Sequence, residues 1–201
     1  MTITHHPSSE IVAAYATGAL DEGRRLVVAT HLHLCAECSA LQQACEIVGG
    51  ALLDDEMPAA MAPNAISNAL AKLDNAPPGK SKPLALSDYK LGRWLWRGPG
   101  VYWREVPTTD ASETRSFMLR VAPNTQLPHH THEGFEWTCI LQGAFRHAGG
   151  VYGPGDFDEA DEETHHTPIV EPGEDCICLV AMRGTIQLKG WQRLLQPLIR
   201  I

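Results

Sequence analysis

The sequence predicts two domains, an all-α N-terminal one and an all-β C-terminal one built as an antiparallel sandwich or barrel. Three observations carry this. Apolar residues recur at helical spacing up to about Asp74. The stretch Asn75-Ala-Pro-Pro-Gly-Lys-Ser-Lys-Pro83 then has the composition of a linker, rich in proline and glycine and empty of large apolar side chains. Beyond it, short apolar runs alternate with turn signals. The expected divisions are 1–75, a linker at 76–90, and 91–201.

Ser8 or Ser9 is placed to cap a first helix carrying Ile11, Val12, Tyr15 and Ala19 on one side, and Gly18 weakens its end. Asp21 opens a second helix through Leu26 and Val27. A third places Leu41, Cys45, Val48 and Leu52 on one stripe, with Cys45 reading as a core residue. After a polar break from Asp54 to Pro63, Asn64 is placed to cap a short fourth helix presenting Ile66, Leu70 and Leu73. That stripe packs either on its own domain or on another chain. In the β region the expected strands are Phe117–Val121, Phe135–Leu141, Val151–Phe157 and Cys176–Met182, separated by Pro-Asn, Gly-Gly, Gly-Pro-Gly and Glu-Pro-Gly.

The 201 residues carry a formal charge of -8, which argues against direct contact with nucleic acid. There is no apolar run long enough to span a bilayer, and Met-Thr-Ile-Thr-His-His does not read as a signal peptide, so a soluble, cytoplasmic protein is expected. The six cysteines do not form the pattern of a secreted disulfide framework.

Two groups of residues point to metal chemistry. In His31-Leu-His-Leu-Cys35-Ala-Glu-Cys38, His31 and Cys35 lie one helical turn apart, and Cys38 reaches back from the following turn. Mixed nitrogen and sulfur donors suit tetrahedral zinc, and His5 and His6 compete to supply a fourth ligand. A thioredoxin-like use of Cys35 and Cys38 would need a strand leading into the motif, where a helix is expected. A region of about seventy residues has a thin core, which a structural metal would reinforce. In the β region His130, His132 and Glu136 share strand parity, so three donors face one side, and Thr164-His165-His166-Thr167-Pro168 offers another from a distant strand. Phe135, Trp137, Cys139 and Leu141 have the opposite parity. They are expected to face away from the metal and either to pack within the chain under Trp94-Leu-Trp96, the favoured reading, or to form an interface.

The pattern His130-x-His132-x3-Glu136-x6-Gly143, followed by Pro154-Gly155-Asp156 and His166, resembles the two metal motifs of the cupin superfamily. The glycine usual ahead of the first histidine is absent. The resemblance implies a cupin barrel with His130, His132, Glu136 and His166 as ligands; His129 and His165 match no ligand position. The N-terminal region is similar to zinc-binding anti-sigma domains, with His6, His31, Cys35 and Cys38 matching their signature. The whole chain resembles the ChrR-type anti-sigma factors, including Leu141-Gln-Gly-Ala-Phe145, His166-Thr-Pro168, Asp175-Cys-Ile-Cys178 and Gln196-Pro-Leu-Ile-Arg-Ile201. That resemblance implies a non-enzymatic regulator whose helical domain binds an extracytoplasmic-function sigma factor. The cupin domain would aid release under singlet oxygen or related oxidants.

The rival reading is a cupin enzyme of dioxygenase or isomerase type. Three imidazoles and a carboxylate suit zinc, iron, manganese or nickel, and an octahedral metal keeps open positions. The helical zinc domain has no evident catalytic use, which favours the sensor. Cys176 and Cys178 lie on one strand face that can adjoin the metal. They are either small core residues or an oxidant-sensitive pair, and an i, i+2 spacing makes a disulfide between them unattractive.

Overall fold

The computed structural model describes residues 2–74 and 86–188; the expected linker Asn75–Pro83 and the closing Gln196–Ile201 lie outside them. Four helices precede the strands. Helix α1 (Ser9–Ala16) buries Ile11 and Val12, has Ser8 at its N-cap without a side-chain bond, and is followed by Gly18 at φ 73°. That left-handed conformation favours glycine and turns the chain toward α2. Helix α2 (Glu22–Leu34) is capped by Asp21, whose carboxylate accepts the Arg24 N–H at 2.9 Å. Cys35 ends α2 and caps α3 (Ala36–Asp54). The turn expected before Cys38 is therefore a single residue, and Cys38 sits in the first turn of the next helix.

Helix α3 packs against α1 and α2, yet Cys38 is its one buried residue, and Cys45 is only half-buried. Its expected apolar stripe faces solvent, with Val48 at 59 % and Leu52 at 64 % exposure. Helix α4 (Ala65–Asp74) likewise exposes Ile66, Leu70 and Leu73. Neither stripe finds cover among the described residues, because α1 and α2 have turned their own apolar faces elsewhere.

That other surface is the β region. Its strands are β1 (Leu95–Gly98), β2 (Val101–Glu105), β3 (Arg115–Val121), β4 (His130–His132), β5 (Phe135–Gln142), β6 (Phe145–His147), β7 (Gly150–Tyr152), β8 (Phe157–Ala160), β9 (Ile169–Val170), β10 (Cys176–Arg183) and β11 (Ile186–Leu188). A six-stranded antiparallel sheet runs β1-β2-β3-β10-β5-β8, accompanied by the pair β11-β4 and the sheet β7-β6-β9. The expected strand Val151–Phe157 is instead two, β7 and β8. Gly153-Pro154-Gly155 breaks it, with Gly155 at φ 91°.

Strand β10 shows how the layers meet. Cys176, Cys178, Val180 and Met182 point into the barrel with Phe117, Ile140 and Val170. Leu179 and Ala181 point out and join Leu26, Val27, Val28 and Leu32 of α2, together with Met118, Trp137, Cys139 and Phe157. A strand covered on both faces reads as a continuous apolar run. The opposite-parity face of β5 is thus buried as expected within the chain, but α2 supplies much of the cover; Trp94 also packs at this cluster, while Trp96 is exposed. Polar contacts border the junction: the Glu22 carboxylate accepts from the Tyr89 O–H at 2.8 Å and the Thr109 N–H at 2.6 Å, and Asp21 accepts from the Thr114 hydroxyl at 2.7 Å.

Candidate metal centres

In the helical region, His6, His31, Cys35 and Cys38 present donor atoms that all lie within 4.8 Å of one another. The helix of α2 carries His31 into the core, and the α2–α3 corner brings both thiols beside it. The His6 Nδ1 lies 3.4 Å from each of the Cys35 and Cys38 Sγ atoms. His31 donates from Nδ1 to the Gly155 carbonyl at 2.7 Å, which leaves the lone pair on Nε2. That Nε2 is buried and has no hydrogen-bond partner. Burial holds the His31 imidazole below its ordinary range, and burial together with a hydrogen bond involving Cys35 pushes the Cys38 thiol up to about 12. An orphaned imidazole nitrogen facing two crowded thiols fits a soft divalent cation, which would reverse the thiol shift by favouring thiolate. His5 does not join this group: its ring stacks on Tyr152 at 4.0 Å.

The second group is at the mouth of β4 and β5. His130, His132, Glu136 and His166 again have donor atoms within 4.8 Å of one another. The His166 Nε2 lies 2.9 Å from the His130 Nε2 and 3.1 Å from the His132 Nε2. The His130 Nδ1 donates to the Pro128 carbonyl at 2.7 Å, fixing its lone pair on Nε2. Burial disfavours charging these rings: His132 is lowered to about 4 and His166 to about 3, each by burial first and neighbouring imidazole charge second. The His166 Nε2 can donate a proton to only one of the His130 and His132 nitrogens at a time, whereas a cation among the three would accept all their lone pairs. Nitrogens about 2.0–2.1 Å from one ion stand about 3 Å apart, which is the spacing found. Glu136 lies nearby, with an Oε2 3.8 Å from the His132 Nδ1. Burial, helped by the charge of Asp158, raises its carboxyl to about 8.

The ChrR cupin-like domain family matches residues 85–185. Along its whole length the chain is 40 % identical to the anti-sigma-E factor ChrR of Cereibacter sphaeroides, and the alignment covers both proteins completely. The chain belongs to the ChrR family of anti-sigma factors. The solved structure of Rhodobacter sphaeroides SigE in complex with the anti-sigma ChrR is 41 % identical, with a TM-score of 0.79 over 90 % of this chain and 99 % of that one.

In this ChrR-family chain, Cys176 and Cys178 line a cavity of about 40 Å³ inside the barrel, together with Glu136, Asp158 and His166. Burial raises the Cys176 thiol to about 12 and pushes the Cys178 thiol well above its ordinary range. It thus disfavours the thiolate at both positions, unlike the electropositive settings of nucleophilic cysteines. His129 and His165 stay outside the donor group; the His129 Nδ1 lies 2.9 Å from the Thr167 hydroxyl. Two residues that sequence reasoning missed adjoin the site. The His147 Nε2 lies 3.2 Å from the Asp158 Oδ2, and the two form a further group of potential donors with His166. The available signal was weak: a histidine ending one short strand and an aspartate inside another.

Proposed function

We propose that this protein is a cytoplasmic anti-sigma factor that sequesters an extracytoplasmic-function sigma factor. The full-length relationship to ChrR supports this reading, and the observation that carries it on the molecule is the pair of apolar stripes on α3 and α4 that find no cover among the described residues. Val48, Leu52, Ile66, Leu70 and Leu73 are all more than half exposed. Scattered apolar side chains are ordinary on a surface, but helical stripes of this kind suit helix-in-groove association with another protein.

In this reading His6, His31, Cys35 and Cys38 hold a structural zinc, closed by four protein ligands, that contributes to folding of the helical region. His130, His132, Glu136 and His166 hold a divalent metal in the barrel; zinc, iron, manganese and nickel all suit three imidazoles and a carboxylate. When bound, that metal supplies a positive charge that keeps Glu136 ionised and the three rings neutral. The barrel then senses singlet oxygen or a related oxidant, and a change there releases sigma. Cys176 and Cys178 are secondary targets that become reactive only when the barrel opens.

The cavity beside the metal ligands also bears on the enzyme alternative. Its volume of about 40 Å³ is far below the ~300–1,000 Å³ of pockets that enclose organic ligands. It exceeds the ~10–15 Å³ of such space that one water molecule needs. A small oxidant matches that space where an organic substrate does not.

The test is co-expression with a co-encoded extracytoplasmic-function sigma factor, followed by metal analysis of the purified complex. The expected product is a one-to-one complex with about two metals per chain that dissociates on illumination with a photosensitiser. An isolated chain with one redox metal and turnover of an organic substrate would instead establish the enzyme.

A further inference from the structure

The helical metal site receives two of its fixing contacts from the barrel. Asp156 is only 4 % exposed. Its Oδ1 accepts the backbone N–H groups of Thr4 at 2.7 Å and His5 at 2.9 Å, while its Oδ2 accepts that of Gly153 at 2.8 Å. The Phe157 N–H donates to the His5 carbonyl at 3.0 Å. The peptide groups on both sides of His5 are therefore clamped to the start of β8, and the next residue is His6. Across the site, the Gly155 carbonyl accepts from His31 Nδ1, and the Phe157 ring meets the His31 ring edge-on with centroids 5.8 Å apart. Gly155 also has a positive φ of 91°, a conformation that side-chain-bearing residues rarely adopt.

We infer that the barrel segment Gly153–Phe157 is an outer shell of the helical metal site, positioning His6 and His31 so that the site is complete only while the barrel is docked. The inference rests on the reading of His6, His31, Cys35 and Cys38 as metal ligands. Groups that orient a ligating imidazole through its second nitrogen fix the tautomer and the ring direction, and their loss commonly lowers metal affinity about 10–100-fold. Here the orienting group for His31 and the clamp for His6 come from one turn of a different structural layer.

The same turn lies at the end of a column of rings. His5 stacks on Tyr152 at 4.0 Å, Tyr152 stacks on His147 at 4.8 Å, and His147 meets His166 at 5.2 Å. A rearrangement around His166 thus has a packed route to the segment that holds His6.

The experiment uses full-length protein loaded with zinc, with release followed by a chromophoric chelator and total zinc determined separately. Asp156→Ala is expected to weaken zinc retention at the helical site 10–100-fold, and Asp156→Asn, which keeps the shape and one acceptor, by less. Zinc in the barrel, assigned by its loss in Glu136→Gln, should be retained in both variants, which also reports that the barrel is folded. Because Asp156 acts through His6, adding Asp156→Ala to His6→Ala should change release by much less than it does in the parent. Wild-type retention in both Asp156 variants would overturn the inference, as would an equal effect of Asp156→Ala with and without His6. A parent chain holding no zinc outside the barrel would overturn the helical metal reading itself.

Discussion

Replacing Glu136 with Gln should have opposite consequences with and without metal. The Glu136 carboxyl is buried beside Asp158 and is raised from 4.5 to about 8 in the metal-free barrel. Its folded-state value lies above its unfolded one, so the folded protein retains the proton longer. Stability from this group is complete below about pH 4.5 and is lost as pH rises toward 8. Over the interval from 4.5 to 7, at about 1.4 kcal/mol per pH unit, the loss is of order 3 kcal/mol at pH 7. His132 and His166 act in the other sense. Their folded values lie below 6.5, so stability rises as pH climbs toward 6.5. The metal-free parent should therefore be most stable near pH 6.5 and weaken above it. Glu136→Gln cannot ionise and should lose that falling limb, gaining up to about 3 kcal/mol at pH 7 in urea unfolding with chelator present. With metal present the variant should bind it more weakly, because a neutral amide replaces the carboxylate. A chelated Glu136→Gln protein that still weakens from pH 6.5 to 8 as the parent does would refute the reasoning.

Cys38→Ala should remove the helical metal and loosen the α2–α3 corner, abolishing sigma capture in a pull-down while leaving the barrel metal in place by mass analysis. His6→Ala should hold one metal per chain much more weakly, whereas His5→Ala should hold both as the parent does, since the His5 side chain lies on Tyr152; equal weakening in the two variants would contradict the assignment. Leu70→Asp on α4 should change thermal stability little, within about 0.5 kcal/mol for an exposed site, yet reduce sigma affinity more than tenfold in a titration. Leu26→Ala should cost about 2–5 kcal/mol, and because Leu26 belongs to a core shared by helices and barrel, both should unfold in one transition at lower temperature. Two separated transitions would show that the common cluster does not couple them.

Both donor groups were legible in the sequence because their geometry is local. His31 and Cys35 are one helical turn apart, and strand parity sets His130 and His132 on one side of β4; the single strand expected through Glu136 is instead broken at Gly134, so Glu136 reaches the group from β5, and His6 and His166 come from farther along the chain, where resemblance supplied them. The β10 run from Cys176 to Met182 was likewise legible as a strand, and the α3 and α4 stripes as helices, since hydrophobic period is written in neighbouring residues. What the local pattern could not state is which surface an apolar face meets. The α3 stripe has the same spacing as a core helix, yet it is α2 that docks on the sheet, through Leu26, Val27 and Val28 against Cys139, Leu179 and Ala181. Nor could spacing reveal that Asp156 grips the chain at Thr4 and His5, or that Gly155 orients His31, because those partners are more than a hundred residues apart and meet only when the barrel folds. The chain's own spacing determined much of the chemistry of the two sites; tertiary packing alone decided that a barrel turn supports the helical one.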